Sequence, residues 1–331
     1  MSTKQKIENV NGIPTHIYQL GNAMQSSKTI VIIPGNPGLG GFYIPFAHEL
    51  YNLFNENISI LIISQAGHSP PLKHRFTLNE QIQHKLQTID QLLPRTRQHR
   101  LILIGHSIGA YMVLRMLKTL EYRLDRAFLL FPTLERMRES DAGKRFVRFY
   151  PVMLYLLPFL CWIFSFIFPF DWLKRKLLSY HFADSPEADR SILVDTVLYD
   201  LLNPVSMKNV LQMANEEMSV VRKRDDEIIE EFLPKLTFYY GSNDHWVPDD
   251  VAKEMKELYP QGDIIKCSNH PTGNHHFIHP EKDDYANHHY SISSENHLEG
   301  KQDENDKTNA LLSSSKAKWF DAVRTVKQLN Q

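Results

Sequence analysis

Gly105-His106-Ser107-Ile108-Gly109 sets a serine between two glycines, directly after the apolar run LILIGHS (101–107) and directly before AYMVLRML, which has a helical pattern. That context predicts a sharp strand-to-helix turn. Such a turn lifts the Ser107 hydroxyl above a sheet, and its glycines let the helix pack closely on the strand. The backbone N–H of Ile108 then lies at the N-terminus of a helix, a position suited to a developing oxyanion. Serine alone is a poor nucleophile, so this chemistry needs a base and a group to orient it.

Asp244, in GSNDHWVP after the run KLTFYYG (235–241), is the candidate acid. An Asx turn is the alternative role for it. Asp249 and Asp250 follow Pro248 and read as the first turn of a helix, where acidic residues are favoured. Of the 16 histidines, His270, His275, His276 and His279 follow the last predicted strand. The base belongs on the loop just beyond that strand, and TGNHHFIHP fits, with His275 as the base and His276 as its alternative. A metal site is the rival reading of this histidine cluster. It lacks a helical i, i+4 pair and cysteine partners, so no metal is expected, and a serine nucleophile with its base and orienting acid needs no other cofactor. The loop IIPGNPG (32–38) offers a second oxyanion donor. Its glycines let a substrate approach the backbone, and Asn36 supplies an N–H that Pro34 and Pro37 lack.

These residues need a scaffold that brings them to one edge. The runs TIVIIPG (29–35), ISILIIS (58–64), LILIGHS, AFLLFP (127–132), KLTFYYG and DIIKCS (263–268) are near-continuous and apolar, as strands buried on both faces of a parallel sheet are. Helical stretches at Tyr43–Phe54 and Thr77–Leu93 alternate with them, giving βαβ units and an α/β fold. Residues 1–135 and 226–279 then form two parts of one core, and 136–225 is a helical insertion that includes the apolar segment 149–170. From 280 to 315 the chain is polar, charged and rich in histidine, including His288, His289 and His297, so it reads as a disordered loop. Residues 316–331 place Trp319, Val323 and Val326 on one helical face, predicting a closing helix.

Bulk composition excludes several classes. Lys plus Arg number 37 against 38 Asp plus Glu, which gives no electrostatic basis for a nucleic-acid partner. Two cysteines, Cys161 and Cys267, do not make a disulfide framework. The N-terminal MSTKQKIENVNGIPTHIYQLG lacks the apolar core of a signal peptide, so a cytosolic catalytic domain is expected.

IPGNPG, FYIPFAHEL, GHSIGAYM, GSNDHWVP and a His-x-Phe near the end, taken together, resemble the lipid droplet-associated hydrolase family, a branch of the α/β-hydrolases. The resemblance covers roughly residues 15 to 279 and the last helix. It implies an α/β-hydrolase fold, with Ser107 as nucleophile, Asp244 as acid and His275 as base. It also implies a neutral lipid ester as substrate, cholesteryl or acylglycerol, at the lipid droplet surface.

Phe149 to Phe170 carries no charged residue, and as a straight helix would span about 33 Å, enough for a bilayer core of ~30 Å. A single crossing would put Ser107 and Asp244 on opposite sides of the membrane. Lys144, Arg145 and Arg148 before the segment and Lys174, Arg175 and Lys176 after it favour keeping both ends on the cytosolic side. Pro158, near the middle, predicts a break into two half-segments. The expectation is a segment that dips into one leaflet and returns, or lies in the interface, burying Leu156, Leu157, Phe159, Leu160, Trp162 and Phe164. A droplet monolayer or the cytosolic leaflet of the endoplasmic reticulum would suit it. The alternatives are a buried lid helix for the segment, and, for the whole chain, a droplet-coating protein with weak or vestigial hydrolysis. No residue excludes a peptidase or thioesterase.

Overall fold

The computed structural model describes residues 3–71, 75–183, 185–241 and 244–266. Its strands are β1 (Lys4–Val10), β2 (Ile13–Leu20), β3 (Lys28–Ile33), β4 (Ser59–Ile63), β5 (Arg100–His106), β6 (Leu124–Leu130), β7 (Leu236–Tyr240) and β8 (Asp263–Lys266). They form one sheet in the order β1-β2-β4-β3-β5-β6-β7-β8. The pairs from β4 through β3, β5, β6 and β7 to β8 are parallel, and β1–β2 and β2–β4 are antiparallel.

The helices are α1 (Ile44–Leu53), α2 (Leu78–Leu92), α3 (Ile108–Leu120), α4 (Asp141–Ile167), α5 (Asp171–His181), α6 (Glu187–Asp195), α7 (Pro204–Val220), α8 (Asp226–Phe232) and α9 (Asp249–Leu258). Strand periodicity divides the core into two layers. Val31, Ile33, Leu61, Ile63, Leu101 and Leu103 face the layer shared with α2, α3 and α9. Their neighbours Ile30, Ile32, Ile60, Ile62, Ile102 and Ile104 face the layer shared with α1 and α6. Each continuous apolar run therefore serves both layers, as a doubly covered parallel strand must.

The sequence reading did not assign the β1–β2 hairpin. Its signal is Asn11-Gly12, both at positive φ (50° and 84°), the pair that a tight primed turn favours. Polar Lys4, Gln5, Lys6 and Glu8 leave the outer strand exposed and hide its apolar character. An edge strand of that composition resists pairing with another chain.

The expected break at Pro158 does not occur. α4 runs unbroken for 27 residues with Pro151 and Pro158 inside it. Each proline removes one backbone hydrogen bond, a finite penalty that the rest of the 27-residue helix offsets. The two prolines are seven residues apart, so the lost bonds lie on one side of the helix. α4 is long and apolar enough to cross a membrane by length and composition. A single crossing is nevertheless incompatible with this sheet, because β6, before α4, pairs directly with β7, after it, Ala127 standing opposite Leu236. α4 instead packs along α7. It leaves Val152, Tyr155, Phe159, Trp162 and Phe166 exposed in one stripe.

Candidate active site

Ser107 sits between β5 and α3 with φ 52° and ψ −120°. Side chains rarely adopt that backbone conformation, and non-glycine residues are held there only when the surroundings dictate it. Two close approaches dictate it here. A Cβ on Gly109 would lie 2.2 Å from the Ile33 carbonyl oxygen, and one on Gly105 would lie 2.6 Å from the Ala110 Cα. Only glycines let α3 close down on β3 and β5 in this way. Ile108 is the first residue of α3 and is fully buried, with its backbone at the helix N-terminus.

The loop after β3 lies against this turn. A Cβ on Gly35 would stand 3.0 Å from the Ser107 Cβ, so Asn36, the next residue, is brought beside the nucleophile candidate. The Asn36 amide nitrogen donates to the Val210 carbonyl and to Glu217 Oε1, both at 3.0 Å. Gln65 Nε2 holds the same loop by donating to Pro34 O at 2.8 Å, and His68 Nδ1 lies 2.6 Å from Pro37 O. Burial depresses the His68 pKa to about 4, so its Nδ1 donates from a neutral ring.

Asp244 lies beyond β7, at the same edge of the sheet. Its Oδ1 accepts from Trp246 N at 2.9 Å and Val247 N at 3.3 Å, which is the Asx-turn geometry weighed for it from sequence. This commits one carboxylate oxygen to shaping the loop. The loop is also joined to the start of α4, where Ala142 N donates to His245 O at 3.2 Å. Between the Ser107 and Asp244 loops stand the ends of β6 and β7. Ser107 N donates to Leu130 O, and Phe131 N to Tyr239 O. The Phe131 ring meets His106 and Tyr239 edge-on. His270, His275, His276, His279, the segment 280–315 and the helix expected over 316–331 lie outside the described residues. Among those that are described, no group of three His, Cys, Asp or Glu could hold a metal ion.

Of the six apolar side chains expected to dock, Leu156, Phe159, Leu160 and Trp162 are exposed, while Leu157 and Phe164 are half-buried. The helix thus divides the group by face. Phe159, Trp162 and Phe166 stack in sequence along it, with ring centroids 6.0 and 5.9 Å apart.

Three contributors escaped the sequence reading. Tyr43 bridges the two loops, accepting from Gly35 N at 2.9 Å and lying 2.7 Å from His106 Nδ1. Its presence in FYIPFAHEL gave no sign of a polar role, because a tyrosine in an apolar helix start reads as core. Lys85 is wholly buried beneath the loops, donating to Ser64 O at 2.9 Å, and burial lowers its pKa to about 7. Glu217 is also buried, and desolvation, with the neighbouring Glu216, pushes its carboxyl up to about 8. In MANEEMSVV it is indistinguishable from a solvated acid.

Comparison with known proteins fits this geometry. Residues 26–278 match the family model described as lipid-droplet associated hydrolase. A relative of that name from Mus musculus is 36% identical over 283 residues, covering 76% of this chain and 81% of its own. One from Homo sapiens is 37% identical over 282 residues, with the same coverage. Among solved structures, the thioesterase domain from the curacin biosynthetic pathway superposes with a TM-score of 0.54 at 13% identity, over 81% of this chain and 94% of that one. An α/β-hydrolase fold protein from Burkholderia ambifaria gives 0.50 at 13% identity, over 80% and 89%. At such identities the structural likeness speaks for the fold alone, and the fold is that of the α/β-hydrolases. With the family model spanning β3 to β8, the Ser107 turn and the Asp244 loop, the chain belongs to the lipid droplet-associated hydrolase family.

Proposed function

We propose that this protein is a serine hydrolase of neutral lipid esters, cholesteryl or acylglycerol, working at the lipid droplet surface. The observation that carries the reading is the Ser107 turn, held at φ 52° against the Gly35-Asn36 loop. Sheet-wide packing maintains that backbone at a free-energy cost, which suits a nucleophile more than a plain turn. The names of its relatives support hydrolysis and the droplet.

In the proposed reaction Ser107 Oγ attacks the ester carbonyl carbon, and His275 takes the hydroxyl proton. Asp244 orients the histidine. The carbonyl oxygen gains the negative charge and is bound by the N–H groups of Ile108 and Asn36. Collapse breaks the bond to the alcohol, which leaves with the proton from His275. Water, deprotonated by the same histidine, then frees the acid and restores Ser107. No cofactor enters.

The exposed stripe on α4 supports docking at a monolayer. An aromatic row on the helix whose first turn joins the Asp244 loop suits a substrate that lives in oil, and Lys144, Arg145 and Arg148 on the first turns of α4 suit a phospholipid surface. The same stripe favours a second reading, a droplet-coating protein in which catalysis is weak, because docking needs no serine.

A panel of lipid esters given to purified protein, with Ser107→Ala as the blank, tests the reading. Hydrolysis above the blank, together with fluorophosphonate labelling of the wild type alone, is expected. Folded wild-type protein that neither labels nor hydrolyses would leave the coating role standing. His275→Ala should lower the rate by roughly a hundredfold or more, far beyond His276→Ala.

A further inference from the structure

α7 does more than lie over the site. Asn209 Nδ2 on this helix donates to Gly67 O at 2.7 Å, and Glu216 Oε1 accepts from Leu78 N at 3.0 Å. Val210 O and Glu217 Oε1 both accept from the Asn36 amide. Helix α7 therefore clasps the loop after β3, the loop after β4 and the start of α2. Because Val210 O can only accept, the atom it meets on Asn36 is the amide nitrogen, and both amide protons are directed to this one helix.

Glu217 is the unexpected member of that clasp. It is 1% exposed, and no cation is paired with it among the described residues. A buried carboxyl without a cation is costly unless it stays neutral or serves a purpose. Resting on the ester-hydrolase reading above, we infer that Glu217 positions the oxyanion loop: from the lid side its carboxyl fixes the Asn36 side chain, and so sets the Asn36 backbone beside Ser107.

The charges around Glu217 are few. Glu216, next to it on α7, raises its pKa further, and Glu216 is itself ion-paired with Arg75 ahead of α2. From α4, Tyr150 faces the same Arg75. With a pKa of about 8, Glu217 stays protonated through neutral pH, and Asn36 meets a neutral carboxyl oxygen. Ionisation would place a negative charge behind the very residue whose N–H binds the substrate's oxyanion. A negative charge on the far side of the oxyanion donor should slow the chemical step about tenfold or more. Substrate binding, before charge develops, should change little.

The test uses kcat and KM against pH with a soluble acyl ester, and Ser107→Ala as the blank. Wild-type kcat should fall as pH rises through about 8, with KM nearly steady. Glu217→Leu removes the acceptor and should lower kcat about tenfold at neutral pH. Glu217→Gln keeps an acceptor that cannot ionise. It should restore kcat and carry no alkaline decline, and circular dichroism confirms that both variants fold. A Glu217→Gln profile that declines as the wild type does, or a folded Glu217→Leu with wild-type kcat, would overturn the positioning role and leave the ester-hydrolase reading intact. Wild-type protein no more active than the Ser107→Ala blank would instead overturn that reading, and this inference with it.

Discussion

The Tyr43 hydroxyl lies 2.7 Å from Nδ1 of His106, the residue immediately before Ser107. The same hydroxyl accepts from Gly35 N at 2.9 Å, so one buried phenol ties the loop after β3 to the turn after β5. Burial raises its pKa, which keeps the phenol protonated and able to bridge.

Tyr43→Phe should show what this bridge does. The ring still fills its place, but the buried Gly35 N–H loses its acceptor, a loss of about 1–3 kcal/mol. Urea unfolding should register that loss at unchanged m-value. Ester turnover should fall as well, since the spacing between the two loops is no longer fixed. Wild-type stability and turnover together would mean that the bridge is idle.

The backbone at Ser107 gives a second expectation. Glycine adopts φ 52°, ψ −120° without steric penalty, whereas alanine suffers the same strain as serine. Ser107→Gly should therefore be more stable than Ser107→Ala by about 1–2 kcal/mol, despite glycine's greater freedom when unfolded. Both should be inactive. A Gly variant less stable than the Ala variant would show that the turn is not strained.

Much of this was legible because it is local. The apolar runs 29–35, 58–64 and 101–107 announce doubly buried strands, and Gly105, Ser107 and Gly109 announce the turn. What escaped depends on partners far along the chain. Glu217 meets Asn36 across 181 positions, and nothing around either residue predicts the meeting. Pro158 misled for a different reason: proline's penalty is real but finite, and a long apolar helix absorbs it. The half-buried state of Leu157 and Phe164 likewise follows from which face α4 turns inward, which composition does not encode.

Lys85 predicts a dependence of stability on pH. Its pKa falls from 10.5 in the unfolded chain to about 7 when buried, so between these values the unfolded state binds more protons. Stability contributed by this residue is fully present above 10.5, is lost as pH falls towards 7, and is flat below. Lys85→Met has no such group. Urea unfolding of both proteins at pH 7 to 10 should show the wild type gaining on the variant as pH rises, and parallel curves would mean that Lys85 is charged in the folded protein.

The face-by-face division of α4 separates docking from folding. Leu156, Phe159, Leu160 and Trp162 are exposed, so replacing them with serine removes little from the core. Each would give up to ~1.5–3 kcal/mol on burial in lipid, and losing four should release the protein from phospholipid-coated triacylglycerol droplets in a flotation assay. The melting temperature and the hydrolysis of a soluble ester should hardly change. Leu157→Ser and Phe164→Ser, on the half-buried side, should act the other way, lowering the melting temperature before they lower droplet binding. If the four-residue variant still floats with the droplets, docking lies elsewhere, and the next surface to test is α5, where Trp172, Leu177 and Tyr180 are exposed. Cysteines engineered beside Lys144 and Lys174 then read the topology in sealed microsomes. Both should react from the same side, because β6 and β7 pair across the insertion that holds α4. Protection of one alone would require those strands to part, and with them the loops that carry Ser107 and Asp244.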